Sequence, residues 1–339
     1  MNQIKNRHIV IPIFVPHKGC PFDCIYCSQK KISGQTEDMT IEKMTEIIER
    51  HLETASSDSF VEIGFYGGSF TGIDKDEQIE FLMAANKYIS ANKVSSIRLS
   101  TRPDYIDEEI LDYLKKYNVR TIELGVQSMD DSILKTSCRG HNTEDVIKAS
   151  VLIKESDFNL GIQTMIGLPG DSREKDMETA EKVIELKPDI VRIYPVLVIK
   201  DTYLETMYND GRYKPINLDE AVEICAELLD LYEKNDINVI RIGLQPTDNI
   251  NENMDVVAGP FHPAFRQLVE SRRILKQLIK QIEEKKLYRY KDILIAVPEK
   301  SISDVIGQKR ANIDFLKRKF GFNTVKILEQ KRNDICIMN

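Results

Sequence analysis

Three cysteines fall within eight residues, in the run Cys20-Pro-Phe-Asp-Cys24-Ile-Tyr-Cys27. The other three, Cys138, Cys225 and Cys336, stand alone. A disulfide framework spreads its cysteines through a small secreted chain, whereas a tight, odd-numbered group points to metal. Three thiolates on one short loop can each reach a different iron of a cubane [4Fe–4S] cluster and leave the fourth iron open to a ligand. Structural zinc takes four ligands, and His17, three residues before Cys20, is the nearby group that could serve as the fourth. Iron–sulfur chemistry is the first expectation and zinc the alternative.

Such a loop needs a scaffold that holds it at one end of a sheet. Short β-branched or aliphatic runs at 9–14, 61–65, 97–100, 120–124, 160–165 and 190–194 read as strands. Between them, 41–51, 75–91, 108–117, 143–155 and 174–186 have helical composition and spacing. This alternation predicts an α/β fold with a parallel sheet and helices outside it. Six such units make a full or partial (β/α)6 barrel, in which chemistry sits at the C-terminal strand ends. The conspicuous motifs fall there: the cysteines after strand one, Gly67-Gly68 after strand two and Arg102-Pro103-Asp104 after strand three. Gln127-Ser128, Gly167-Leu168-Pro169-Gly170 and Tyr194-Pro195 follow strands four, five and six.

Beyond the barrel the pattern reads as a helix at 218–232, a strand at 239–244, a polar loop at 245–263 and a long helix at 265–284. A small α+β module of β-α-α-β order follows, with strands at 293–297 and 325–328 around helices at 303–306 and 311–320. The expected organisation is a barrel domain at 1–245, a connecting loop and helix at 246–284 and a basic C-terminal domain at 285–339. Net charge is −7, unevenly spread: from Arg272 to Asn339 there are 17 Lys and Arg against 8 Asp and Glu. Such asymmetry marks either an arm that meets an acidic partner, nucleic acid included, or a solvated helix of lysines. The N-terminus has no apolar core of a signal peptide. The longest apolar run, 9–15, is broken by Pro12 and too short to span a bilayer, so a cytoplasmic protein without a membrane partner is expected.

The cysteine spacing after a first strand, with a glycine pair after the second, resembles the radical S-adenosylmethionine (SAM) superfamily. Several stretches resemble in particular the radical SAM domain of the catalytic subunit of Elongator, which modifies wobble uridine in tRNA. They are Tyr66-Gly-Gly-Ser-Phe-Thr71, Ser100-Thr-Arg-Pro-Asp-Tyr105, Glu123-Leu-Gly-Val-Gln-Ser128 with Arg139-Gly-His141, Met165-Ile-Gly-Leu-Pro-Gly170 and the run from Arg192 to Lys200. Together they cover roughly residues 8 to 245. The Gly-Val-Gln-Ser and Arg-Gly-His pieces also resemble the anaerobic coproporphyrinogen oxidase branch. The resemblance implies a [4Fe–4S] cluster on Cys20, Cys24 and Cys27 whose open iron chelates the amino and carboxylate groups of SAM. Reduction then splits SAM into methionine and a 5′-deoxyadenosyl radical, and a reductant such as flavodoxin or ferredoxin is implied as a partner.

The same resemblance implies roles for further residues. Gly67 and Gly68 would offer backbone carbonyls to the SAM amino group, or simply turn the chain. Gln127 and Arg139 match positions for the ribose and carboxylate, Arg139 because its planar fork grips a carboxylate bidentately; a salt bridge is the alternative. Gln163 is a second ribose candidate, residues 166–170 would flank the adenine or simply turn the chain, and Tyr26 packs against the adenine or within its own loop. Arg102, Asp104, Tyr194 and Lys200 are candidates to line the substrate pocket, with structural ion pairs as the alternative. His141 caps or orients the helix beginning at Thr143, and His262 is left without a role.

The tail carries a second resemblance. Val305-Ile-Gly-Gln-Lys-Arg-Ala-Asn-Ile313, with Leu316, Gly321 and Val325-Lys-Ile327, is similar to a KH domain, which clamps single-stranded nucleic acid over a Gly-x-x-Gly loop. Here arginine replaces the second glycine, and Lys309 and Arg310 are the implied RNA contacts; the alternative is a compact cap on the barrel. The resemblance covers the radical domain and not the acetyltransferase module of the Elongator subunit, so chemistry that depends on acetyl-CoA is not expected from it. The expectation is an RNA-modifying enzyme acting on tRNA, with a radical SAM oxidoreductase acting on a small molecule or peptide as the rival.

Overall fold

The structure is a computed structural model that describes residues 7–15, 20, 24–28, 38–56, 58–244, 254–332 and 334–338. His17 and residues 245–253 of the expected polar loop lie outside the described residues. The chain divides into two compact units, Met1–Ile216 with Tyr232–Phe261, and Asn217–Leu231 with His262–Asn339.

The first unit is built on a seven-stranded sheet in sequential order: β1 (His8–Phe14), β2 (Phe60–Tyr66), β3 (Ser96–Thr101), β4 (Val119–Gln127), β5 (Asn159–Ile166), β6 (Ile190–Pro195) and β8 (Asn238–Ile242). Every neighbouring pair is parallel. The crossovers include α1 (Ile41–Thr54), α2 (Lys75–Ser90), α3 (Glu108–Lys116), α5 (Thr143–Glu155) and α6 (Arg173–Glu185). Sequential order with right-handed crossovers puts all the helices on one face. The sheet is thus the partial barrel expected, with a seventh parallel strand added after the six.

The helix starts follow local chemistry. Thr40, Asp74, Asp107, Asn142 and Ser172 each cap a helix by accepting a backbone N–H with the side chain. Asn142 and Asp145 form a reciprocal capping box on α5. The cap that His141 was expected to provide therefore comes from its neighbour. Two short helices, α4 (Asp131–Thr136) and α7 (Tyr203–Asn209), and the two-stranded pair of β7 (Val198–Ile199) with β9 (Val256–Ala258) have no periodicity long enough to read in advance.

Alternation along the strands separates two faces. Ile63, Phe65, Ile97, Leu99, Ile122, Leu124, Ile162, Val191 and Ile193 are fully or almost fully buried on the helix-covered face. The other face carries Glu62, Tyr66, Arg98, Glu123, Gln163 and Arg192, joined in one network. Arg98 bridges Glu62 (Nε to Oε2, 3.0 Å) and Glu123 (Nη1 to Oε1, 3.2 Å). Arg192 donates to Glu123 through Nε at 2.5 Å and Nη2 at 3.0 Å, and to the Tyr66 hydroxyl at 3.2 Å. Gln163 and Tyr66 donate to the two Glu123 oxygens at 3.1 and 3.3 Å. Space for this network depends on two glycines. A Cβ on Gly64 would stand 2.6 Å from the Tyr66 ring, and one on Gly161 2.7 Å from Glu123 Cγ.

In the second unit, α9 (Phe265–Glu284) packs Leu275, Leu278 and Ile282 into one core with β10 (Asp292–Pro298), α10 (Ile302–Ile306), α11 (Ala311–Phe320) and β11 (Thr324–Gln330). The β-α-α-β order is as expected, and β10 and β11 are parallel. A third strand, β12 (Cys336–Met338), pairs antiparallel with the other edge of β10. The long helix expected to connect two modules thus contributes its apolar face to this core. The first fourteen residues of α8 (Leu218–Lys234) also belong to the second unit, by the division at Leu231.

Among the described residues, no helix is long and apolar enough to cross a membrane.

Candidate active site at the strand ends

The cysteine loop follows β1. Cys24 is buried and Cys27 half-buried, in a turn closed by the Cys27 amide donating to the Cys24 carbonyl at 3.0 Å. The turn is tied down from two sides. Ile25 donates to the Ser137 carbonyl at 3.3 Å, and the Leu204 amide at the start of α7 donates to the Ile25 carbonyl at 2.7 Å. Cys24, Ile25 and Tyr26 pack against Ile133 of α4, Leu168, Val196, Val198, Leu204 and Tyr213. The short elements that periodicity does not reveal are therefore the ones that hold the thiols. None of the six cysteines is in a disulfide.

Arg139 is the charge placed on this turn. It is 7% exposed, donates from Nη1 to Cys24 Sγ at 3.3 Å and from Nη2 to the Gly125 carbonyl at 2.6 Å, and its buried Nε has no hydrogen-bond partner among the described residues. A buried unpaired donor costs about 1–3 kcal/mol, which a bound acceptor would recover. Among the described residues, the buried Tyr26 hydroxyl likewise has no hydrogen-bond partner within reach of normal geometry. Burial holds the phenol far above its ordinary pKa, with Cys24 and Cys27 adding and Arg139 opposing, so it stays a neutral donor.

Gln127 closes the group. It takes a left-handed conformation (φ 70°) where the pairing of β4 with β5 slips between Gly125 and Gln127. A Cβ on Gly125 would lie 3.0 Å from Gln127 Nε2 and 3.3 Å from Arg139 Nη2, so both side chains converge over a glycine. Gly67, with φ +96°, makes the turn after β2 beside Phe14 and Val15. Here the positive φ, which glycine alone adopts without strain, is an observed requirement.

The remaining candidates are placed as follows. Arg102 grips Asp104 bidentately at 3.0 and 2.8 Å and lies 5.7 Å over the Tyr105 ring, both at the end of β3. Gln163 gives its amide to Glu123 in the network below the strand ends. Tyr194 sits on the same face, its phenol raised by burial and by Glu123 while Arg192 and Arg241 oppose. Lys200 is exposed on the turn after β7, its amide bonded to the Asp255 carbonyl at 2.9 Å. His141 bonds the Val126 carbonyl at 3.3 Å, and burial with the Arg139 and Arg102 charges drops its pKa to about 4, so it is neutral. Cys20 is half-buried. Among the described residues, no three His, Cys, Asp or Glu side chains stand ready around a single metal ion. A cubane does not ask for that convergence, because each thiolate binds a different iron.

In the second unit, the loop between α10 and α11 brings Gly307, Lys309 and Arg310 to positive φ values of 75°, 50° and 68°. Arg310 thus keeps the left-handed backbone at the position where the KH loop has glycine. Gly307 is pressed against Asn312, whose buried amide donates to Ser271 and to the carbonyls of Asp304 and Val305. His262 takes the Ala264 amide on Nδ1 and meets the Gln308 side chain at 3.2 Å. A left-handed non-glycine costs roughly 1–2 kcal/mol, against about 0.4–1 kcal/mol of added chain entropy for glycine. Arg310→Gly is therefore expected to stabilise the chain by roughly 0.5–1 kcal/mol. A higher urea midpoint at unchanged slope checks this, and a lower midpoint contradicts it.

The pattern of the Radical SAM superfamily matches residues 14–183, and that of the Radical_SAM C-terminal domain matches residues 188–274. The chain belongs to the radical SAM superfamily. Over 186 residues it is 34% identical to a tRNA uridine(34) acetyltransferase of Methanocaldococcus jannaschii, covering 49% of this chain and 34% of that protein. Elongator complex protein 3 of Saccharomyces cerevisiae is 28% identical over 191 residues, 50% of this chain and 34% of that one. An uncharacterised M. jannaschii protein is 31% identical over 224 residues, 64% of this chain and 65% of that one. The chain spans about a third of the length of the first two relatives. Among solved structures, the Elp3 of Methanocaldococcus infernus superposes with a TM-score of 0.63 at 26% identity, over 83% of this chain and 64% of that one.

Radical SAM enzymes use a [4Fe–4S] cluster and SAM, and the residues present fit them. The thiol turn supplies soft ligands. The unpaired Arg139 Nε and Tyr26 hydroxyl are buried donors beside it, and Gln127 and Arg139 converge where Gly125 leaves room. Cys20, Cys24 and Cys27 would hold such a cluster, which would supply the electron for cleavage of SAM to methionine and a 5′-deoxyadenosyl radical. The apolar packing behind Cys24 and Tyr26 excludes water from that face of the turn.

Proposed function

We propose that this protein is an RNA-modifying radical SAM enzyme whose substrate is tRNA. The observation that carries the reading is a thiol turn with Arg139 and Gln127 at the strand ends, in a region 34% identical to a tRNA uridine(34) acetyltransferase. In this reading Cys20, Cys24 and Cys27 ligate the cluster. Gly67 and Gly68 offer carbonyls to the SAM amino group, and Arg139 and Gln127 take its carboxylate and ribose, with Tyr26 at the adenine. Arg102, Tyr194 and Lys200 face the RNA base, and a flavodoxin- or ferredoxin-like protein supplies the electron. Lys309 and Arg310 contact the RNA backbone from the loop between α10 and α11. Gln163 is reassigned from the ribose to support of Glu123, because its amide already donates there.

Nucleosides from the tRNA of a deletion strain and its parent, compared by mass spectrometry, test this. At least one modified nucleoside is expected to vanish or to be replaced by its precursor in the deletion strain, and to return on complementation. Identical profiles would overturn the RNA reading.

A further inference from the structure

The basic excess of the C-terminal region is partly neutralised within the second unit. Arg272 pairs with Asp219 and Glu223 at 3.3 and 2.7 Å, and Arg273 with Asp230 at 2.7 Å. Lys276 pairs with Glu223 and Glu227, and all of these acids are on α8. Of the cations left over, Lys285, Lys286, Arg289 and Lys291 lie at the end of the unit where α9 and α11 finish and β10 and β11 begin, while Lys309 and Arg310 lie at the other end of α11. The parallel register sets Asp292 opposite Thr324, the Asn323 amide donates to the Lys291 carbonyl at 2.7 Å, and Lys319 reaches Glu283 at 3.3 Å.

The segment 285–291 at that end reads Lys-Lys-Leu-Tyr-Arg-Tyr-Lys. Leu287, 7% exposed, anchors it in the core with Ile282 and Ile293. The other six residues are exposed. The backbone between them is a tight turn: Lys286 is left-handed (φ 55°), and the Tyr290 amide donates to the Leu287 carbonyl at 3.0 Å. That turn presents Tyr288 and Tyr290 at 45% and 46% exposure. Among the described residues, neither phenol has a hydrogen-bond partner and none of Lys285, Lys286, Arg289 and Lys291 has a carboxylate partner.

We infer that this end of the second unit is a docking surface for single-stranded RNA, with Tyr288 and Tyr290 stacking on bases and the four flanking cations holding phosphates. The inference rests on the RNA reading above and adds a binding surface to it. Flat rings interleaved with cations suit a strand whose bases alternate with phosphates. An acidic peptide is served by the charges alone. A bilayer interface needs exposed large apolar anchors, and the one leucine of the segment points into the core. The surface is separate from the loop holding Lys309 and Arg310. Those residues precede α11, whose ten residues span roughly 15 Å, and the segment 285–291 lies at its other end.

The test is fluorescence anisotropy of the full, cluster-loaded chain with a labelled oligouridine and with bulk tRNA. Tyr288→Ala with Tyr290→Ala should weaken binding of the oligouridine roughly tenfold for each ring, with unchanged thermal stability because both rings are exposed. Tyr288→Phe with Tyr290→Phe should bind as the parent does, since stacking survives loss of the hydroxyl. Lys285→Gln with Lys286→Gln should lower the slope of log Kd against log salt by about 0.7 for each phosphate that is no longer neutralised. Parent-like affinity of the double alanine variant would reject this surface while leaving the RNA reading intact. Failure of the parent to bind either RNA would overturn both, as would binding to anionic phosphatidylserine vesicles in place of RNA.

Discussion

Cys24→Ala is expected to bring 5′-deoxyadenosine formation by the reduced, reconstituted protein down to the level of a protein-free control. Cys24 is the most buried of the three thiols, and Arg139 donates to its sulfur at 3.3 Å. In the proposed role the substitution removes a cluster ligand, and it also removes the acceptor of the Arg139 Nη1 hydrogen bond. Loss of one ligand of a three-thiolate set also costs cluster occupancy, so iron and sulfide content should fall with activity. Cys336→Ala, in β12 of the second unit, is the matched control and should retain both. Parent-like 5′-deoxyadenosine formation by Cys24→Ala would remove the thiol turn from the mechanism.

The second large effect is on stability. Glu123 is 1% exposed and accepts from Arg98, Arg192, Gln163 and Tyr66. Glu123→Ala would leave the largely buried Arg192 guanidinium without its carboxylate on the inner face of the barrel, while Arg98 would keep only Glu62. Breaking a buried pair by removing one partner costs about 3–5 kcal/mol, because the remaining charge is uncompensated. For a chain of this size each kcal/mol corresponds to roughly 2–4 °C, so Tm should drop by roughly 10 °C. Glu123→Gln keeps the shape and one acceptor and should fall between the parent and the alanine variant. Removal of Glu109, whose partner Lys75 is also at the surface, should leave Tm unchanged within error, since solvent screens such pairs. A Glu123→Ala protein melting with the parent would show that the network contributes nothing to the fold.

That network marks where one-dimensional reading stops. The strands themselves are legible because their apolar residues alternate or run together, and the thiol triad because its spacing is compact. Gln127 and Arg139 are legible through the motifs around them, and the structure converges them over Gly125. Glu62, Arg98, Glu123 and Arg192 are single charges inside apolar runs, separated by 25 to 69 residues along the bonds they make. Only the strand register brings them together. Gly64 and Gly161 look like ordinary strand residues for the same reason, although each clears space for a neighbour's side chain.

The helices α4 and α7 escape sequence reading because six or seven residues do not complete two turns of an apolar pattern. Yet α4 and α7 flank the cysteine turn, so the elements hardest to read are those closest to the chemistry. The charge count of the tail has a different fault. It treats Arg272, Arg273 and Lys276 as free to meet a partner, whereas acids more than forty residues earlier on α8 already hold them. Four of the remaining cations, Lys285, Lys286, Arg289 and Lys291, lie instead around two exposed tyrosines.

In the proposed function, radical chemistry at the thiol turn is directed at tRNA. Incubation of the anaerobically reconstituted, reduced protein with SAM and unmodified tRNA tests it directly, with 5′-deoxyadenosine and the digested nucleosides measured in the same sample. 5′-Deoxyadenosine is expected together with a nucleoside of altered mass or deuterium content, both absent with Cys24→Ala. Formation of 5′-deoxyadenosine with every nucleoside unchanged in mass and isotope content would contradict it.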